Sequence, residues 1–134
     1  MTYTLCYVSK AAEGVNKNEI EQIFETTLAN NSEKGIHGIL LYGMDNFFQV
    51  LEGDERSVET LYEDYIKNDP RHFDIFEVIR RKTAKPVFSE YSSLFTIVKT
   101  SEQLEQIKAY LATHNVNSTS NKLKRLLNPF LLET

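Results

Sequence analysis

A chain of 134 residues, 41% apolar and 25% charged, has the size and composition of one soluble domain with a core of its own. Its net charge of −4 argues against an electrostatic nucleic-acid binder, because neutralising phosphates takes clustered Lys and Arg, and the run Arg80-Arg81-Lys82 is short, a solvated strand end. The lone Cys6 excludes an internal disulfide and fits a reducing cytoplasm, and no apolar run approaches the ~20 residues of a membrane helix.

The run Tyr3–Ser9 alternates as a strand with Tyr3, Leu5 and Tyr7 on one face. Asn16, with Glu19 three residues on, reads as a capping box; Ile20, Ile23, Phe24, Thr27 and Leu28 then recur at helical spacing to about Ala29. Two amides follow, Asn30 and Asn31, placed either to cap the helix end or to face a ligand. After the Lys34-Gly35 turn, Ile36–Tyr42 and Phe47–Leu51 form a hairpin about Gly43-Met44-Asp45-Asn46. Asp54 caps a second helix with the apolar stripe Val58, Leu61, Tyr62, Tyr65 and Ile66, closed by Pro70. A fourth strand is predicted from Phe73 to about Arg80 and a fifth from about Tyr91 to Val98.

This order predicts an α+β fold, a ferredoxin-like β-α-β-β-α-β-β five-stranded sheet with two helices on one face. Phe48 and Val50 point to the other face, which needs a lid. The amphipathic segments Ser101–Thr113 and Ser120–Leu131 supply C-terminal helices for it, through Leu104, Ile107 and Leu111 and through Leu123, Leu126, Leu127, Phe130 and Leu131. A polar connector, Asn115–Asn121, joins them, and Pro129 ends or kinks the second. Residues 1–98 read as the core and 99–134 as a helical cap and output segment of the same domain, with no internal repeat and no effector domain following.

The strand Asn46–Gly53 is apolar on both faces, yet it carries Gln49 at its centre. A buried amide left unpaired costs about 1–3 kcal/mol, so Gln49 needs another side chain, backbone or the heteroatom edge of a ligand. There is no nucleophile elbow, phosphate-binding loop or dinucleotide fingerprint, and His37, His72 and His114 lack metal-ligand spacing.

Taken in order, Tyr7, the pair Asn30-Asn31, the Gly-x-x-Gly-Ile-Leu-x-Tyr strand from Gly35 to Tyr42, Phe47-Phe48-Gln49-Val50-Leu51-Glu52-Gly53 and Asp69-Pro70-Arg71-His72 resemble the BLUF domain, the blue-light sensors using FAD. The resemblance covers roughly Met1 to Ile97. It implies a short, stand-alone cytoplasmic photoreceptor, not a turnover enzyme, that holds FAD non-covalently through Tyr7, Ile23, Asn30, Asn31, Leu40, Phe47, Gln49, Lys67, Arg71 and His72. Tyr7 is then the electron and proton donor and Gln49 the hydrogen-bond switch. The implied partners, besides the flavin, are further copies of the chain and an unidentified downstream protein, with no nucleic acid and no membrane.

Three departures stand out. The tryptophan and methionine usual on the fifth strand are Tyr91 and Ser93, which alternation puts on the face of Phe95, making Tyr91 a second candidate donor. The arginine usual in the second helix is absent; Lys67 or Arg71 replaces it near the ribityl-phosphate chain, or each is a charge on a solvated face. Two rival readings remain: a flavin-binding module with weak or no photosignalling, and a ferredoxin-like interaction domain with an empty pocket.

Overall fold

The computed structural model describes residues 2–114, 118–130 and 132. Along the chain lie β1 (Thr2–Ala11), α1 (Lys17–Glu33), β2 (His37–Gly43), β3 (Asn46–Gly53) and α2 (Glu55–Thr60), which continues as a wider π-helical coil over Leu61–Ile66. Then come β4 (His72–Thr83), β5 (Thr96–Val98), α3 (Ser101–Thr113) and α4 (Ser118–Leu127). The strands form one sheet in the order β4-β1-β3-β2-β5, antiparallel except where β5 runs parallel to β2. This is the ferredoxin-like α+β arrangement.

Local chemistry explains the boundaries. Both halves of the capping box are made: the Glu19 N–H donates to Asn16 Oδ1 at 2.9 Å, and the Asn16 N–H donates to Glu19 Oε1 at 3.3 Å. The β2–β3 hairpin turns through Met44 and Asp45, both at positive φ, with Asn46 Nδ2 donating to the Met44 carbonyl at 2.8 Å. Gly38 has φ +134°, and a Cβ there would lie 1.9 Å from the Val50 carbonyl oxygen. Only glycine lets β2 lie this close to β3.

Alternation splits the core in two. Tyr3, Leu5, Tyr7, Leu40, Phe47 and Leu51 meet Ile20 and Phe24 of α1 and Val58, Leu61 and Tyr62 of the second helix. Cys6, Ile39, Leu41, Phe48 and Val50 point the other way, against Leu104, Ile107 and Leu111 of α3 and Leu123 and Leu127 of α4. The lid expected over Phe48 and Val50 is therefore in place. Each such side chain contributes roughly 1.5–3 kcal/mol on burial, before the entropy of ordering it.

Several boundaries differ from expectation. Helix α1 runs past Ala29 to Glu33, so Asn30 and Asn31 lie inside its last turns. Strand β4 begins at His72 and ends at Thr83, so Arg80-Arg81-Lys82 falls within the last four residues of the strand, with Arg81 and Lys82 exposed. Arg80 reaches under the helices, its Nε donating to Tyr3 Oη at 2.9 Å and its guanidinium pairing Glu59 and Glu63. Tyr65, expected on the apolar stripe, is 64% exposed, and the second helix ends at Ile66, before Pro70. The expected connector is partly helix, since α4 begins at Ser118; residues 115–117 and Leu131 lie outside the described residues.

The largest correction concerns the fifth strand, which is only Thr96–Val98. The buried Glu52 carboxylate accepts the backbone N–H groups of Val87, Phe88 and Ser89 at 2.5, 2.8 and 3.1 Å. Those donors go to a side chain instead of a neighbouring strand, so the segment before β5 coils. Without a ladder, alternation fails. Phe95 packs in the helix-side core, while Tyr91 packs on the lid side with its ring 4.8 Å from that of Tyr110. Tyr91 and Ser93 do not share a face with the cavity described next. Among the described residues no helix is long and apolar enough to cross a membrane, and no cluster of ligating side chains fits a metal ion.

Candidate functional site

A cavity of about 650 Å³ opens between α1 and the second helix, floored by β1, β2 and β3. That is within the range of roughly 300–1,000 Å³ typical of small-molecule sites. Its floor carries Tyr7, Leu40, Phe47 and Gln49; α1 contributes Ile23, Thr26, Thr27, Asn30, Asn31 and Lys34; and the second helix with the turn into β4 contributes Leu61, Tyr65, Ile66 and Asp69–His72.

At the floor the Tyr7 phenol donates to Gln49 Oε1 at 2.6 Å. The two residues are opposite each other in the β1–β3 register, both buried, so the bond is set by the sheet itself. Burial, with Tyr62, Cys6 and Asp69 adding to it, pushes the Tyr7 phenol well above its ordinary range. It therefore stays a proton donor. With its oxygen engaged by Tyr7, Gln49 has its NH2 left to offer a ligand.

Across the cavity Asn31 is 1% exposed. Its backbone carbonyl accepts from the Ile36 N–H at 2.8 Å, fixing the turn into β2, yet its Nδ2 is buried without a partner among the described residues. Native structures rarely leave such a group, and one that lines a cavity is aimed at an occupant.

His72 is a wall more than a polar contact. Its Nε2 donates to the Ile66 carbonyl at 2.6 Å and its Nδ1 meets Ser9 Oγ at 2.7 Å, so both ring nitrogens are engaged by protein. The ring sits 6.0 Å from that of Tyr7 and 6.2 Å from that of Phe47. Arg71 grips Asp69 through Nε at 2.9 Å and Nη2 at 2.6 Å. Burial alone would raise the Asp69 carboxyl, but these bonds to Arg71 outweigh it and hold the group below its ordinary value.

Nine of the ten residues expected at a ligand line this one cavity: Tyr7, Ile23, Asn30, Asn31, Leu40, Phe47, Gln49, Arg71 and His72. Lys67 does not. It turns outward, 3.2 Å from Glu63 and over the Tyr62 ring. The lysine at the cavity is instead Lys34, which lines it together with Arg71 and whose Nζ lies 5.5 Å from the Tyr65 ring. Lys34 follows Asn30 by four residues, so extending the α1 periodicity would have found it.

Comparison with known proteins identifies the family. The family described as BLUF, sensors of blue-light using FAD, matches residues 2–94. The "Blue light- and temperature-regulated antirepressor BluF" of Escherichia coli is 35% identical over 79 residues, 59% of this chain and 19% of that protein. The "Photoactivated adenylate cyclase subunit beta" of Euglena gracilis is 32% identical over 101 residues, 75% of this chain and 11% of that protein. The chain thus spans about a fifth or less of the length of these two relatives. Among solved structures, BlrP1 BLUF, whose source organism is Klebsiella pneumoniae, superposes with a TM-score of 0.73 at 30% identity, over 95% of this chain and 87% of that one. By sequence, fold and the cavity between its helices, the chain belongs to the BLUF family of blue-light sensors.

Proposed function

We propose that this protein is a photoreceptor that holds FAD non-covalently in the cavity between α1 and the second helix, with Tyr7 as donor, Gln49 as switch and output through protein contacts. The observation that carries the reading is the Tyr7–Gln49 bond on the cavity floor, 2.6 Å long and buried. The residues suit a flavin, whose ring system is flat and apolar with a polar edge. Ile23, Leu40 and Phe47 give apolar walls, and the Asn31 Nδ2 is a buried donor with no partner among the described residues. Asn30 and Gln49 add amides that both donate and accept, and Arg71 adds a cation at the rim.

When bound, the flavin absorbs blue light and becomes a strong one-electron oxidant. The chain's own part is to hold the reacting groups dry and aligned. Tyr7 can give an electron, and its phenolic proton already points at Gln49 Oε1. An amide rotated or tautomerised at Gln49 presents the opposite polarity to Tyr7 and to the cavity. Such a rearrangement outlasts the photochemistry as a changed set of hydrogen bonds, which is what a sensor needs. We place the output at α3 and α4, with further copies of the chain and a downstream protein as the partners they meet.

The test is a pair of absorption spectra. Purified protein should be yellow, and blue light should shift its flavin band to the red, reversibly in the dark. Protein that stays colourless after incubation with FAD would leave an interaction domain as the reading; bound flavin with no shift would leave a flavin module without photosignalling.

A further inference from the structure

Behind Tyr7, away from the cavity, lies a second tyrosine that the reading above does not use. The Tyr62 ring is fully buried, its centroid 5.7 Å from that of Tyr7, and it is not a cavity-lining residue. Its phenol donates to Glu77 Oε2 at 2.8 Å. Glu77 stands opposite Tyr7 in the β1–β4 register, and its side chain is 34% exposed. Tyr7, Tyr62 and Glu77 thus form a line from the cavity floor to solvent.

We propose that Tyr62 is a secondary electron donor to Tyr7, with Glu77 as the acceptor of its proton. The inference rests on the photoreceptor reading, in which light-excited flavin is the one-electron oxidant of Tyr7. Once Tyr7 has lost an electron, one electron passes to it from Tyr62 across the ring contact. The Tyr62 O–H bond breaks, its proton goes to Glu77 Oε2, and the carboxylate becomes a carboxylic acid. Tyr7 regains its electron and keeps, or recovers from Gln49, its own phenolic proton along the 2.6 Å bond. The products are intact Tyr7, a neutral Tyr62 radical and protonated Glu77.

The surroundings of Tyr62 require the proton to move with the electron. Lys67 Nζ lies 5.4 Å and the Arg80 guanidinium 5.6 Å from the ring centroid. Both cations are paired with carboxylates, Lys67 with Glu63 and Arg80 with Glu59, Glu63 and Glu77, so it is the hydrogen bond that couples the two particles: a phenol that loses an electron becomes strongly acidic, and the Glu77 carboxylate already held at 2.8 Å takes its proton. Tyr62 therefore yields an electron only while Glu77 can take the proton. The radical then rests one ring further from the cavity than Tyr7, where recombination is slower.

The experiment is electron paramagnetic resonance on flavin-loaded protein, frozen under blue light, with the absorption red shift recorded in parallel. Wild type should accumulate a persistent neutral tyrosyl radical. Tyr62→Phe, which keeps the ring, and Glu77→Gln, which keeps an acceptor oxygen but cannot take a proton, should each lower the radical several-fold while the red shift remains. A merely structural role for Tyr62 would not move the radical signal at unchanged flavin content. Equal radical in all three proteins, none in wild type, or loss in Tyr62→Phe without loss in Glu77→Gln would overturn the relay, while an intact red shift would leave the photoreceptor reading standing. Absence of both flavin and red shift would overturn that reading and this inference with it.

Discussion

Gln49 and Glu52 sit on the same strand and work on opposite sides of the sheet. Gln49 accepts from Tyr7 on the cavity face, while Glu52 accepts from the 87–89 backbone on the lid face. That backbone is tied in turn to α3, because the Tyr110 phenol donates to the Val87 carbonyl at 2.5 Å. A strand that shifts at one of these residues carries the other with it. Switch and lid therefore share a mechanical element.

Tyr7→Phe removes the hydroxyl and keeps the ring; Gln49→Leu keeps the bulk and removes the amide. Both variants should retain flavin and lose the red shift. Losing the single Tyr7–Gln49 bond should cost Tyr7→Phe about 1 kcal/mol of stability, read from denaturant unfolding. A full red shift in Tyr7→Phe would show that another residue starts the chemistry.

Asn31 should trade stability against binding. Its unpartnered Nδ2 costs the flavin-free protein about 1–3 kcal/mol, so Asn31→Leu should raise the melting temperature of flavin-free protein and weaken flavin retention. Equilibrium dialysis and thermal unfolding of the same samples measure both arms. A variant that binds flavin as tightly as wild type would make Asn31 a helix-end residue only.

Glu52 should couple the lid to pH. Burial, against the opposing pull of the three N–H donors and His37, holds its carboxyl above the ordinary 4.5. The folded state therefore favours the protonated form, and the stability Glu52 adds is full below pH 4.5 and lost as pH rises through its folded value. The stability gap between wild type and Glu52→Gln, a neutral stand-in, should narrow as pH rises. Glu52→Ala strands buried N–H groups and should cost about 2 kcal/mol or more at any pH.

Hydrogen exchange in dark and light should find larger changes over residues 87–113 than over α1. Identical protection of α3 in both states would send the signal out through another surface.

Much of this fold was legible in local chemistry. The capping box at Asn16, the alternation of β1 and β3 and the lid leucines each report on neighbours close in sequence or on one face, so pattern alone fixes them. Tyr91 and Ser93 were misplaced because alternation presumes a ladder, and the ladder is absent where a carboxylate 35 or more residues away in sequence takes the backbone donors. Lys67 was misassigned and Lys34 overlooked for a related reason. The π-helical coil over Leu61–Ile66 alters the phase of the second helix, and α1 outlasts its apolar stripe. The Tyr62–Glu77 pair, fifteen residues apart, has no sequence signature at all.

The short β5 gives the molecule a seam. It meets β2 over three residue pairs, Ile39–Thr96 to Leu41–Val98, whereas β1 meets β3 over the whole run from Tyr3–Gly53 to Lys10–Asn46. Lifting α3 and α4 breaks that short pairing together with side-chain ties, Lys122 to the Val78 carbonyl, Arg81 to Ser118 and Thr119 and Tyr110 to the Val87 carbonyl, but none of the antiparallel ladder. Behind the cover lies Cys6, fully buried on the lid-side face, its thiol held far above the usual range by burial. Sealed, it is inert; uncovered, it reacts. The cysteine is thus a built-in clock: its labelling rate under native conditions reads how often the cover lifts, and the ratio of that rate in light and dark measures directly how far illumination loosens it.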